Sequence, residues 1–283
     1  SFTPNNTTLN ATYIPSNADT AAGSVTLVLT STANGNCNPV TDTLVITYTQ
    51  TPVAYAGPDM TACANNPAQL NGIISGGNGT GIWTTPNGTG VFLPSNTNLN
   101  ATYTPSNNDT LNTPIIIILT STNNGGCVAA VDTLIINVTP GPDVDAGPDQ
   151  TVCSNNANVT LSGSVLVATG GIWSSSGTGT FTPSNTTLNA TYIPTPADIS
   201  SGSVTLVLTS TGNGLCNAVT DTMVVTFSPS PVVNAGSNIF ICTGTMTANL
   251  NGSVTGGSTT GIWSTLGSGT FSPNNTTLNA TYN

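Results

Sequence analysis

The chain has 283 residues, with ten Asp and no Lys, Arg, His or Glu, for a formal charge of −10. With no cation it can form no side-chain salt bridge and offers no counter-charge to phosphate, which excludes nucleic-acid binding. Without His or Lys the Ser-His-Asp and Cys-His triads, lysine nucleophiles and most zinc sites also fall away, so neither enzyme activity nor a cofactor is expected. The longest apolar run, 115–119, is far short of the ~20 residues of a membrane helix. Thr, Asn, Ser and Gly dominate, as in disordered chains, yet alternating Val/Leu/Ile runs and regularly placed Trp argue for packed cores.

In chain order, residues 1–50 hold the C-terminal part of a repeat and 51–140 a complete one. Residues 141–230 hold a second complete repeat, and 231–283 the N-terminal part of a further one. NTTLNATY at 6–13 returns letter for letter at 185–192 and 275–282, with NTNLNATY at 96–103. Trp83, Trp173 and Trp263 each follow Gly-Ile, 90 residues apart, and Phe2, Phe92, Phe181 and Phe271 stand 90, 89 and 90 apart. A fixed period of this kind marks a repeat architecture, and ~90 residues can bury a modest core.

Within 141–230 the alternation predicts seven short strands, over 144–152, 158–165, 171–175, 180–183, 188–194, 204–209 and 222–227, separated by Gly, Asn, Pro and Ser clusters. The third carries Trp173, and no segment of useful length has a helical period. Seven such strands with a Trp on the third fit an all-β protein of tandem immunoglobulin-like β-sandwich domains of about 90 residues. A natural chain would hardly begin and end inside a domain, and this one has no initiator Met, signal peptide or sorting tail. Two readings of that frame are open: a window cut from a longer array, or a protomer whose open front half is completed by the next molecule's back half. Both imply a filament, with further copies of the repeat as end-to-end partners.

The repeat resembles the PKD-type, immunoglobulin-like repeats of giant surface adhesins of Bacteroidetes, including gliding adhesins exported by the type IX pathway. The resemblance rests on Ala56-Gly57-Pro58-Asp59 and Ala146-Gly147-Pro148-Asp149, the Gly-Ile-Trp strand and the Phe-x-Pro turn. Ala-Thr-Tyr-x-Pro, and a Cys followed by Asp-Thr-Leu or Asp-Thr-Met, complete it. It covers the whole chain and departs at Ser237-Asn238, where Pro-Asp would stand. It implies a secreted, cell-surface, non-catalytic stalk or filament segment behind an adhesive tip. The alternative is a multivalent module that binds glycans or other surfaces along the array. The loop before the second Cys of each repeat reads ANGN, NNGG and GNGL, and such variation favours a spacer.

Three sets of residues are candidate sites. Asp143, Asp145 and Asp149 follow no calcium-loop spacing and read as turn formers, while a junction calcium at Asp59 or Asp149 is the alternative. Trp83, Trp173 and Trp263, placed after Gly on the third strand, read as core rather than as sugar platforms. The same resemblance suggests O-glycans on Asp-Thr followed by a small or apolar residue, at Thr20, Thr43, Thr110, Thr133 and Thr222. The bland reading is that Asp-Thr simply starts strands and caps turns.

The six Cys fall two per repeat, at 37, 63, 127, 153, 216 and 242, and read as disulfides of an exported protein. One lies between the first and second strands, the other after the sixth. Local pairing would join Cys63 to Cys127 and Cys153 to Cys216, but those two loops lie at opposite ends of an immunoglobulin sandwich. The 26 residues from Cys37 to Cys63, nearly all extended, reach up to ~85 Å, about two domain lengths. That span favours a bond between Cys63 of one repeat and Cys216 of the next.

Overall fold

The computed structural model describes all 283 residues and divides into two compact units, Ser1–Pro140 and Gly141–Asn283. The first opens with β1 (Phe2–Thr3), β2 (Thr12–Tyr13), the single-turn helix α1 (Asn17–Ala22) and a long hairpin of β3 (Ser24–Thr30) and β4 (Thr41–Thr47).

Then comes a complete repeat. Its strands are β5 (Val53–Tyr55), β6 (Met60–Cys63), β7 (Ala68–Gln69), β8 (Ile73–Ser75), β9 (Thr80–Thr84), β10 (Val91–Leu93) and β11 (Thr102–Thr104). Helix α2 (Asn107–Leu111) leads into the hairpin of β12 (Ile115–Thr122) and β13 (Val131–Thr139). One sheet has the order β6-β13-β12-β9 and the facing one β10-β11-β7, with β5-β8 as a separate pair. Alternation aims Ile115, Ile117 and Leu119 from β12, and Leu134, Ile136 and Val138 from β13, at Trp83, Leu70 and Tyr103 between the sheets.

The second unit repeats this plan. It has β14 (Asp143–Asp145), β15 (Gln150–Cys153), β16 (Val159–Thr160), β17 (Ser164–Leu166), β18 (Gly170–Ser175), β19 (Thr180–Thr182) and β20 (Thr191–Ile193). Helix α3 (Pro196–Ser201), β21 (Ser203–Thr211) and β22 (Thr220–Ser228) complete the repeat. Its sheets run β15-β22-β21-β18, β16-β20-β19 and β14-β17, around Trp173, Tyr192, Leu206 and Leu208. Five short strands follow: β23 (Val232–Asn234), β24 (Ala248–Asn249), β25 (Ser253–Thr255), β26 (Phe271–Ser272) and β27 (Thr281–Tyr282). The fold is nearly all β, a tandem of immunoglobulin-like β-sandwiches.

Three features differ from the sequence reading. The expected first strand, 144–152, is two strands. Gly147, at φ +83°, turns the chain so that β14 pairs antiparallel with β17 while β15 pairs parallel with β22. The expected second strand, 158–165, is also split, because β16 pairs with β20 in a different sheet. Gly163 lies at that break; a Cβ there would stand 2.7 Å from Trp173 Cζ2. Finally, three short helices of five or six residues precede β3, β12 and β21. They are too short to show a hydrophobic period, but each begins with a Ser/Thr-x-x-Asp capping box.

No helix is long and apolar enough to cross a membrane.

Candidate functional site

Nine of the ten Asp side chains, all but Asp143, accept from backbone N–H groups. In the first complete repeat the Ala56 N–H donates to Asp132 Oδ2 (2.7 Å), and the Ile135 N–H donates to Asp59 Oδ1 (2.8 Å). The second has the same reciprocal clamp, from Ala146 N–H to Asp221 Oδ2 (2.8 Å) and from Val224 N–H to Asp149 Oδ1 (2.8 Å). Ala-Gly-Pro-Asp and Asp-Thr-Leu/Met are therefore two halves of one fastener between the first-strand corner and the last strand. Nearby N–H groups hold the Asp221 carboxyl below its ordinary value. Asp59 and Asp149 are the two residues of the calcium alternative. Each carboxylate is bonded to a strand amide, and no three His, Cys, Asp or Glu side chains gather into a metal-binding group.

A second carboxylate knot escapes a reading by strand alternation. The Tyr103 hydroxyl donates to Asp109 Oδ2 (2.8 Å), which also accepts from the Ser106 N–H (2.9 Å), while Asp109 Oδ1 accepts from the Thr89 N–H (2.7 Å). Tyr192, Asp198, Thr195 and Thr178 repeat it, and Tyr13 donates to Asp19 in the opening part (2.7 Å). Burial alone would raise the Asp198 carboxyl. The two N–H donors and the Tyr192 hydroxyl more than reverse that and bring it down to about 2. The signal was present in the sequence as a constant spacing of six from Tyr to Asp.

The Asp-Thr threonines thus follow structural aspartates. Thr20, Thr43, Thr133 and Thr222 are exposed and Thr110 is half-buried. The Trp83 and Trp173 rings are buried, with their indole N–H groups donating to the carbonyls of Asn98 (3.0 Å) and Leu188 (3.1 Å). That closes the sugar-platform reading for both. Trp263 is partly exposed and makes the equivalent bond to Leu278 (3.1 Å).

The cysteines mark the two ends of a repeat. Parallel pairing of β6 with β13 aligns Cys63 with Thr139, and Cys63 Sγ lies 3.8 Å from the Pro140 carbonyl, where the chain leaves the repeat. Cys153 is likewise aligned with Ser228, its thiol 4.0 Å from the Pro229 carbonyl. The other class sits on the turn between the last two strands. Cys127 donates its thiol to the Thr49 carbonyl (3.4 Å), on the linker that leads in.

That turn is built alike in all three copies. Ser31, Ser121 and Ser210 cap it, Asn34, Asn124 and Asn213 donate to those serines' carbonyls, and Gly35, Gly125 and Gly214 adopt φ +61° to +62°. The loop that looks variable is a fixed Ser-Thr-x-Asn-Gly-x-Cys turn with two free positions. The nine residues of β13, which span about 27 Å, separate the end beside Cys63 from the turn that carries Cys127, against ~4.4–6.8 Å for bonded Cα atoms. Cys37, Cys127, Cys153 and Cys242 are thiols, whereas Cys63 and Cys216 are disulfide-bonded. The within-repeat pairing of Cys63 with Cys127 and Cys153 with Cys216 is therefore not formed.

The fold and these fasteners define a tandem of immunoglobulin-like domains. Among solved structures the chain is similar to a 3Ig structure of titin domains, with 9% identity and a TM-score of 0.36 over 82% of this chain and 87% of that one. It is similar to the insect immune protein hemolin, with 15% identity and a TM-score of 0.35 over 71% of this chain and 56% of that one. It is also similar to extracellular cadherin domains 3–6 of protocadherin gamma B2, with 12% identity and a TM-score of 0.32 over 93% and 76%. No protein-family model matches the chain, and no curated protein matches it.

Proposed function

We propose that this chain is a load-bearing segment of a secreted stalk or filament, non-catalytic and assembled from further copies of the same repeat. The observation that carries the reading is the placement of the two cysteine classes at opposite ends of a repeat, each against a linker carbonyl. Thr49 and Thr139 are equivalent positions 90 residues apart, so the Cys127-type thiol and the Cys63-type sulfur belong to one kind of linker. On this reading Cys63 bonds Cys216, and every junction has a disulfide beside its covalent linker. Such a junction resists bending, which suits a chain under tension at a cell surface. The resemblance to surface adhesins of Bacteroidetes supports the same role behind an adhesive tip.

Electron microscopy of the oxidised and the reduced polypeptide tests this. Oxidised particles should show a narrow spread of angles at the Pro140–Gly141 junction, and reduction should broaden it severalfold. An unchanged spread contradicts the stitched junction. Saturable glycan binding by the intact 1–283 polypeptide would favour the multivalent-binding reading.

A further inference from the structure

A chain under tension must pass load from the residue where it enters a repeat to the residue where it leaves. In 51–140 those are Val53, the first residue of β5, and Thr139, the last of β13. Inside the fold they are joined by the parallel pairing of β6 with β13, in the register Met60–Ile136, Thr61–Asn137, Ala62–Val138 and Cys63–Thr139. The two bonds of the Asp fastener, Ala56 to Asp132 and Ile135 to Asp59, tie the same two segments. The Ala64 N–H ends the row on the Thr139 carbonyl (2.9 Å). In 141–230 the same row sets Gln150–Cys153 against Val225–Ser228, with Asp149 and Asp221 in the fastener. It ends with the Ser154 N–H on the Ser228 carbonyl (2.8 Å).

Direction decides what these bonds do. Two parallel strands, one pulled by its N-terminal end and the other by its C-terminal end, slide along their length. The bonds between them lie across that motion, so they are loaded together and break together. While β6 and β13 hold, unfolding of the segment between them, with Leu70, Trp83 and Tyr103, adds no length to the chain.

We infer that the two Asp of each fastener form a mechanical latch: Asp59 with Asp132 holds β6 on β13 against shear, and Asp149 with Asp221 does the same for β15 on β22. The fastener is reciprocal, each segment giving one N–H and one carboxylate. Sliding the segments past one another therefore breaks both bonds. Each has an ionised acceptor, and charge-assisted hydrogen bonds are roughly twice as strong as the neutral ones of the ladder beside them.

The Tyr-Asp knot supplies the contrast. Asp109 is bonded to Tyr103, Ser106 and Thr89, all of them between β6 and β13 in the chain and off the load path. Forced unfolding is governed by the unfolding barrier, and a bond still intact at the barrier does not change its height from the folded side. Weakening the Asp109 knot costs stability alone. Weakening the Asp132 fastener costs stability and force.

The latch deepens the stalk reading and rests on it for the presence of tension. On that reading a bond from Cys63 to Cys216 also pulls on the far end of β6 and shares the load, so the reduced chain isolates the latch. The test is single-molecule stretching of the 1–283 polypeptide under reductant, tethered at its two ends. Each complete repeat should unfold in one step of about 250 Å, the extended length of Val53–Thr139 less its folded span. Asp132→Asn, which keeps an oxygen acceptor and loses the charge, should move one of the two steps to lower force. The other step, held by Asp149 and Asp221, should stay in place. Asp132→Ala should move the same step further. Asp109→Asn, the same chemical change in the knot, should lower the urea midpoint of 51–140 while both steps keep their force. No shift in Asp132→Asn, or an equal loss of force in Asp132→Asn and Asp109→Asn, would overturn the inference even if Asp132→Ala failed to fold. With no disulfide present these forces are independent of the stitched junction, which stands or falls on its own test of junction angles.

Discussion

Trp173 is held by contacts that only small neighbours allow. A Cβ on Gly163 would stand 2.7 Å from its ring, and a Cβ on Gly171 would stand 2.9 Å from Leu208, its register partner. The indole N–H is bonded to the Leu188 carbonyl, so truncation removes a large buried side chain and orphans an acceptor. Trp173→Ala should cost about 3–5 kcal/mol, a large share of the stability of a domain this size. Hydrogen exchange across 141–230 should then accelerate strongly while 51–140, with Trp83 intact, serves as the internal control. Unchanged exchange in 141–230 contradicts the core assignment.

At the scale of elements, the corner formed by β19, β20 and α3 depends on one ionised carboxylate. Asp198 titrates at about 2 in the folded repeat but near ~3.9 in an unfolded chain. The unfolded state therefore binds more protons between those values, and stability falls as pH falls. Its contribution is complete above the unfolded value and is lost as pH drops through about 2. Asp198→Asn should be less stable than the parent at pH 7, with the difference shrinking between pH 5 and 2 in urea titrations read on 141–230. A difference that does not change with pH would contradict the knot's dependence on charge. Subtracting variant from parent also removes the general relief of negative repulsion on acidification.

The same elements bound what the sequence made legible. The period, the buried Trp83 and Trp173, and the two cysteine classes came from spacing alone, because burial and chain ends leave regular marks. The split of 144–152 did not, since alternation runs through Gly147 while the backbone changes sheets there. The bonds of the Asp-Thr aspartates were not legible either, because the partners of Asp109 and Asp132 lie far along the chain, at Thr89 and Ala56. The turn before Cys127 looked variable until Asn124 and Gly125 were seen to hold its shape.

For the whole molecule the central proposal is that neighbouring repeats are fastened twice, by the linker and by a disulfide of Cys63 with Cys216. A bond there closes a long loop of the unfolded chain and is worth roughly 2–4 kcal/mol in the entropy-based account. The sharpest test is connectivity in the oxidised polypeptide, cleaved before each Asp by Asp-N protease without reductant and weighed by mass spectrometry. The expected result is peptide 59–108 joined to 198–220. Peptide 59–108 joined to 109–131, or 149–197 joined to 198–220, would make each repeat an independent bead and contradict the account.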